Sequence, residues 1–165
     1  MRNKKTLFAC ISLSFLILAA GCAKKTKPDQ ELPALPPAES GVSETTLHDS
    51  DSNNAMGLET IHFAYNTGAL SKSAKETLKK NVGILKDHLS AHVQIEGHCD
   101  QRGGSQYNLA LGERRAKSVR KYMALLGVAS SRMTTISMGK EKPIDPSESE
   151  EAYAKNRRAN FVVTE

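Results

Sequence analysis

The fold class the sequence predicts is α/β: short alternating apolar runs, apolar stripes at helical spacing between them, and Gly- or Pro-marked junctions that separate the two. Elements that alternate in this way pack as layers, because each strand row and each helical stripe has one apolar side to cover.

The first element is a short strand at residues 61–65, closed by the turn signal Asn66-Thr67-Gly68. A helix follows, which either Ser71 or Ser73 can cap; Ser73 and Glu76 have the spacing of a capping box. Its stripe is Ala74, Leu78, Val82, Leu85 and Leu89, a core face. Val93 and Ile95 then alternate with Gln94 and Glu96 as a second strand, which breaks at Gly97 into a loop over residues 97–104. A second helix runs from about Asn108 to Leu126 with Ala116, Val119, Met123 and Leu126 on one side, and Gly127 supplies its C-cap. A strand at 134–138, a turn through 139–146, a short helix near 147–156 and a last strand at 159–164 complete the order.

Ahead of this pattern the chain has a different character. Residues 1–21 read as a bacterial export signal: Arg2, Lys4 and Lys5, then an apolar run of about 14 residues, then small residues before Cys22. That run falls short of the roughly 20 residues a membrane-spanning helix needs. Leu18-Ala19-Ala20-Gly21-Cys22 resembles the lipobox of bacterial lipoproteins, which implies that Cys22 is lipidated and becomes the new N-terminus. Acyl chains contribute roughly 0.8 kcal/mol per buried methylene, so a multiply acylated cysteine anchors a domain without protein contacts. In such lipoproteins Ala23, rather than Asp, after the cysteine implies the outer membrane. Residues 22–56 then form a lipidated cysteine and a disordered linker rich in Pro, Ser, Asp and Glu, with Pro33, Pro36 and Pro37. A flexible coil of about 34 residues reaches roughly 30–35 Å. The folded domain is placed at 57–165.

Composition narrows the function. With 39% hydrophobic and 25% charged residues and no Trp, the chain is an ordinary globular protein without a large stacking platform for sugars or bases. The formal charge of +5 loses three units when the leader is set aside, so nucleic acid is not the expected partner. Of three cysteines only Cys99 lies in the body, so no intrachain disulfide forms there.

The densest constellation is Gly97-His98-Cys99-Asp100-Gln101-Arg102-Gly103, followed by Tyr107-Asn108-Leu109 and Leu111-Gly112-Glu113-Arg114-Arg115-Ala116. It closely resembles the peptidoglycan-binding signature of the OmpA-like family. Met138-Gly139-Lys140-Glu141-Lys142-Pro143 and Tyr153-Ala154-Lys155-Asn156-Arg157-Arg158-Ala159 resemble that family's branch of peptidoglycan-associated lipoproteins. The resemblance covers residues 58–164, and it implies an α+β sandwich: a βαβαβ-type mixed sheet with helices packed on one face.

The ligand so implied is the diaminopimelate arm of the wall stem peptide, whose free end carries an ammonium and a carboxylate. Asp100 matches the family position that accepts the ammonium, and Arg115 the one that forks onto the carboxylate with two parallel hydrogen bonds. Arg102, Asn108 and Leu111 match positions lining the pocket, and Arg157 faces it from the C-terminal segment. Without the resemblance, Asp100 reads as a loop-closing acceptor and Arg115 as a solvated helix charge. Where the branch has an acidic residue after the Phe, this chain has Ala64-Tyr65-Asn66 after Phe63, and Asn66 substitutes in part.

The branch also implies partners in the Tol system, especially the β-propeller protein TolB, and a domain facing the periplasm. A wall-binding lipoprotein without a Tol partner is the alternative. No cofactor or metal is expected: His98 and Cys99 are adjacent, but no CxxC or HExxH spacing exists, and Cys99 reads as a packed thiol. Nor does any Ser/His/Asp, Cys/His or paired-carboxylate arrangement point to an enzyme.

Overall fold

The computed structural model describes residues 48–164. The leader at 1–21, Cys22 and the linker up to residue 47 lie outside the described residues. Helix α1, Lys72–Asp87, begins where the Ser71 hydroxyl accepts the Ala74 N–H at 3.1 Å. Ser71 is therefore the cap, and Ser73 lies inside the first turn. Its stripe buries Ala74, Leu78, Val82 and Leu85, whereas Leu89, beyond the helix end, is 76% exposed. Helix α2, Ser105–Leu125, buries Leu111, Ala116, Val119 and Met123, and Gly127 after it takes the left-handed φ of +101° that suits a residue without Cβ. A third helix, α3, spans Glu150–Asn156, with the Ser149 hydroxyl accepting the Ala152 N–H.

The strands are β1 (His48–Asp49), β2 (Ile61–His62), β3 (His92–His98), β4 (Met133–Gly139) and β5 (Arg158–Thr164). They form one sheet in the order β1-β5-β3-β4, with β2 also on β5. β3 and β4 run parallel, while β5 is antiparallel to β3, β1 and β2. Because β2 and β3 both oppose β5, they point the same way. β2-α1-β3 and β3-α2-β4 are thus two crossovers of one sense, and the mixed sheet expected from the sequence is found. Val93, Ile95, Ala159 and Phe161 of the sheet join the stripes of α1 and α2 in one core.

Two expectations change. The first strand stops at His62; the Phe63 N–H still donates to the Arg157 carbonyl at 2.9 Å in the same register, but the chain then turns away through Asn66, whose φ is +53°. Residues 48–56, assigned to the linker from composition, pack with the domain. β1 pairs with Val162 and Val163, Ala55 is fully buried, Ser50 Oγ donates to Asn160 Oδ1 at 2.7 Å, and Arg158 Nε donates to Asp51 Oδ2 at 2.7 Å. This segment is held largely by polar side chains, so apolar patterning does not reveal it.

Candidate ligand-binding pocket at the end of β3

Helix α2 lies unusually close to β3. A Cβ on Gly97 would sit 1.9 Å from the Gly112 carbonyl oxygen, and one on Gly112 would sit 2.3 Å from Ser137 Oγ and 2.6 Å from the Gly97 oxygen. Two glycines therefore let backbone meet backbone, which brings the first half of α2 down beside the loop that follows β3. Asp100 is on that loop and Arg115 is on the buried side of α2, so the contact places both charges at the C-terminal end of β3.

Arg115 is completely buried, yet none of its partners is a carboxylate. Its Nε donates to Thr67 O at 2.9 Å, Nη1 to His98 O at 2.7 Å and Nη2 to Ala64 O at 3.3 Å. Of five guanidinium N–H groups, three are so used and two have no oxygen acceptor among the described residues. Burial pulls the Arg115 pKa down from its ordinary value, the sign expected for a cation removed from water.

Asp100, also buried, has the opposite surroundings. Oδ1 accepts from the Arg102 backbone N–H at 3.2 Å and from Arg102 Nε at 3.3 Å; Oδ2 accepts from Arg102 Nη2 at 2.7 Å and Arg157 Nη1 at 3.3 Å. Burial raises its pKa, but the hydrogen bonds from Arg102 and Arg157 outweigh that and hold the carboxyl below the usual aspartate value. Arg102 in turn donates to Glu150 Oε2 at 3.1 Å and lies 4.3 Å from the ring centroids of both Tyr65 and Tyr153. Its pKa is raised, chiefly by the bond to Asp100.

Between these charges is a pocket of about 260 Å³. Asp100, Arg102, Asn108, Leu111 and Arg115 line it, so five of the six ligand-binding residues expected from the sequence converge. Arg157 does not line it. It braces Asp100 from behind, with Nε on Phe63 O at 3.2 Å and Nη1 on Glu150 Oε1 at 3.0 Å. Asn108 donates to Arg102 O at 2.8 Å, which fixes the loop over the start of α2. Sequence reasoning assigns no role to Tyr65 or Tyr107, both of which line the pocket. Tyr107 donates its hydroxyl proton to Asn66 Oδ1, linking α2 to the turn after β2.

Cys99 lines the pocket as well, donating its thiol to Asn108 O at 3.3 Å, and burial pushes its pKa up, so it is a neutral, packed thiol. His98 lies elsewhere, with Nε2 3.4 Å from Glu96 Oε2. Among the described residues no three His, Cys, Asp or Glu side chains come together as a metal site would need.

A deep guanidinium with spare donors beside a paired carboxylate is an arrangement for a ligand that carries charge of its own. The family model that matches residues 62–157 is that of the OmpA family. The chain belongs to the OmpA family. A peptidoglycan-associated lipoprotein of Agrobacterium fabrum is 35% identical over 94% of this chain and 86% of its own length. The corresponding lipoprotein of Pseudomonas aeruginosa is 37% identical over 75% of this chain and 72% of its own. Among solved structures, the peptidoglycan-associated lipoprotein from Burkholderia pseudomallei superposes with a TM-score of 0.63 at 37% identity, covering 69% of this chain and 97% of that one. This OmpA-family pocket is thus built on the fold of that lipoprotein, and none of the three relatives is named as an enzyme.

Proposed function

We propose that the protein is an outer-membrane lipoprotein that binds peptidoglycan non-covalently through the diaminopimelate arm of its stem peptide. Lipid on Cys22 holds one end to the membrane, and the pocket holds the wall. The observation that carries this reading is Arg115. A fully buried cation with no anionic partner costs several kcal/mol unless its environment compensates, and three carbonyls compensate only in part. A ligand carboxylate placed against the two remaining N–H groups would complete the shell bidentately. Asp100 supplies the opposite charge for the neighbouring ammonium.

Sedimentation with purified sacculi tests this. The full chain is expected in the pellet, and Asp100→Asn and Arg115→Lys in the supernatant; pelleting of the doubly substituted chain like the unaltered one would end the proposal.

A Tol component, with TolB as partner and a part in cell division, belongs to the same reading through the resemblance of the motifs at 138–143 and 153–159 to the peptidoglycan-associated lipoprotein branch. Within the branch-like motifs Glu141, Lys142, Ala154 and Lys155 are exposed, whereas Gly139, Asn156, Arg157 and Arg158 are buried. Their burial supports a role in fold and pocket and keeps open the second reading, a wall-binding lipoprotein without a Tol partner. A pull-down from cell envelopes separates the two: recovery of wall material without TolB favours the second.

A further inference from the structure

A carboxylate offers about four acceptor directions, and at Asp100 four donors fill them: three from Arg102 and one from Arg157. While those four are in place, no direction is left for an incoming ammonium. Of the two arginines, Arg157 is the fixed one, since its side chain is 9% exposed and its Nε is held by the Phe63 carbonyl. Arg102 is the movable one. Its side chain is 33% exposed, and it has a second place to rest, with Glu150 Oε2 at 3.1 Å from Nη1 and the rings of Tyr65 and Tyr153 at 4.3 Å on its guanidinium.

We infer that Arg102 is a tethered competitor for the cation subsite at Asp100, so that the pocket admits an ammonium only when the same ligand also presents a carboxylate to Arg115. This deepens the reading of the pocket as a zwitterion site and rests on it. The physical reason is effective concentration. Arg102 is two residues from Asp100 and meets it at a high local concentration that a free amine in dilute solution does not match. A ligand already clamped by its carboxylate at Arg115 presents its ammonium on equal, intramolecular terms. When Arg102 yields, Glu150 and the two tyrosine rings keep its charge satisfied, so the exchange leaves no cation stranded. Lysine-type amines, which carry an ammonium without the adjacent carboxylate, are thereby refused.

Calorimetric titration of the full chain with meso-diaminopimelate and with cadaverine, which keeps both ammonium groups and lacks both carboxylates, reads this selectivity. The unaltered chain is expected to favour diaminopimelate. Arg102→Gln is expected to gain affinity for cadaverine by about tenfold, the scale of one partly exposed charge-assisted contact, and to lower the ratio of the two affinities. A ratio unchanged or raised by Arg102→Gln overturns the inference while leaving the zwitterion reading in place. Should the unaltered chain bind neither compound and Arg102→Gln acquire cadaverine, the competitor stands and the diaminopimelate reading falls. If Arg102→Gln does not fold, Glu150→Gln decides. Removing the resting place of Arg102 should weaken diaminopimelate binding several-fold, and undiminished binding there counts against the competitor.

Discussion

Arg115 combines three tasks that sequence spacing assigns to no single residue: it is a core side chain, a splint between the turn after β2 and the end of β3, and the charge at the pocket floor. The carbonyls it holds belong to Ala64, Thr67 and His98, so its loss leaves one buried and two part-buried acceptors without this donor. Arg115→Ala should therefore destabilise the domain by about 3 kcal/mol, an unfolding midpoint lower by roughly 10 °C or more for a domain of this size, and be a poor probe of binding. Arg115→Lys keeps the charge and reaches fewer carbonyls, so it should cost about half as much while still losing the bidentate grip; thermal melts alongside sacculus binding check both. At Asp100 the prediction concerns pH. Its folded pKa lies below the ordinary value of 3.8, so the stabilisation it contributes is complete above about pH 4 and is lost as the pH falls through the folded value. Denaturant unfolding at pH 5 and pH 3 should show a fall in stability on acidification that Asp100→Asn makes smaller. Asp145, half-buried and lowered to about 2 by the Ser147 hydroxyl and Lys155, adds to the same window and remains in the variant as an internal reference.

At the scale of elements, the seating of α2 on β3 decides whether the two charges share a pocket. A Cβ at Gly112 would lie 2.3 Å from Ser137 Oγ and 2.6 Å from a backbone oxygen, distances that only a shift of the helix relieves. Gly112→Ala should cost about 3 kcal/mol and weaken ligand binding at the same time. Gly83, on the exposed side of α1 with nothing within 4 Å of the position a Cβ would take, should respond with the opposite sign: Gly83→Ala gains about 0.5–1 kcal/mol. Urea unfolding of the two variants checks the pair. What was legible in the sequence follows the same physics. Ala74, Leu78, Val82 and Leu85 repeat at the period of a helix because a helix must bury one side, and all four are buried. β1 has no such repeat, being two residues long and fastened through Ser50 and Asp51 to Asn160 and Arg158, more than 100 positions away. In the pocket, the motif carries Asp100, Arg102, Asn108, Leu111 and Arg115 because they fall in one short stretch. Tyr65, Glu150 and Tyr153 reach Arg102 only through the fold, and no local pattern marks them.

For the molecule as a whole, the end at which the chain enters and the end that carries the pocket are opposite. His48 pairs with Val163 and His92 with Thr164, so the entry lies at the N-terminal end of β3, while Asp100 follows its C-terminal end. Seven residues of strand separate these ends by roughly 20 Å. With residues 48–56 in the fold, the linker that composition assigns to the region after Cys22 is nine residues shorter than the roughly 34 read from the sequence. The linker and the roughly 20 Å across the sheet together set the distance between Cys22 and the pocket. If that span is what lets one chain hold a membrane and a wall together, deleting residues 28–39 should reduce the capture of lipoprotein-bearing vesicles by sacculi, because about half the tether is gone. The same deletion in a chain carrying Cys22→Ser should leave sedimentation with sacculi unchanged, since the pocket is untouched. Equal vesicle capture by the long and short tethers would show that reach is not limiting. Loss of binding by the unanchored short form would place part of the wall contact in the linker itself.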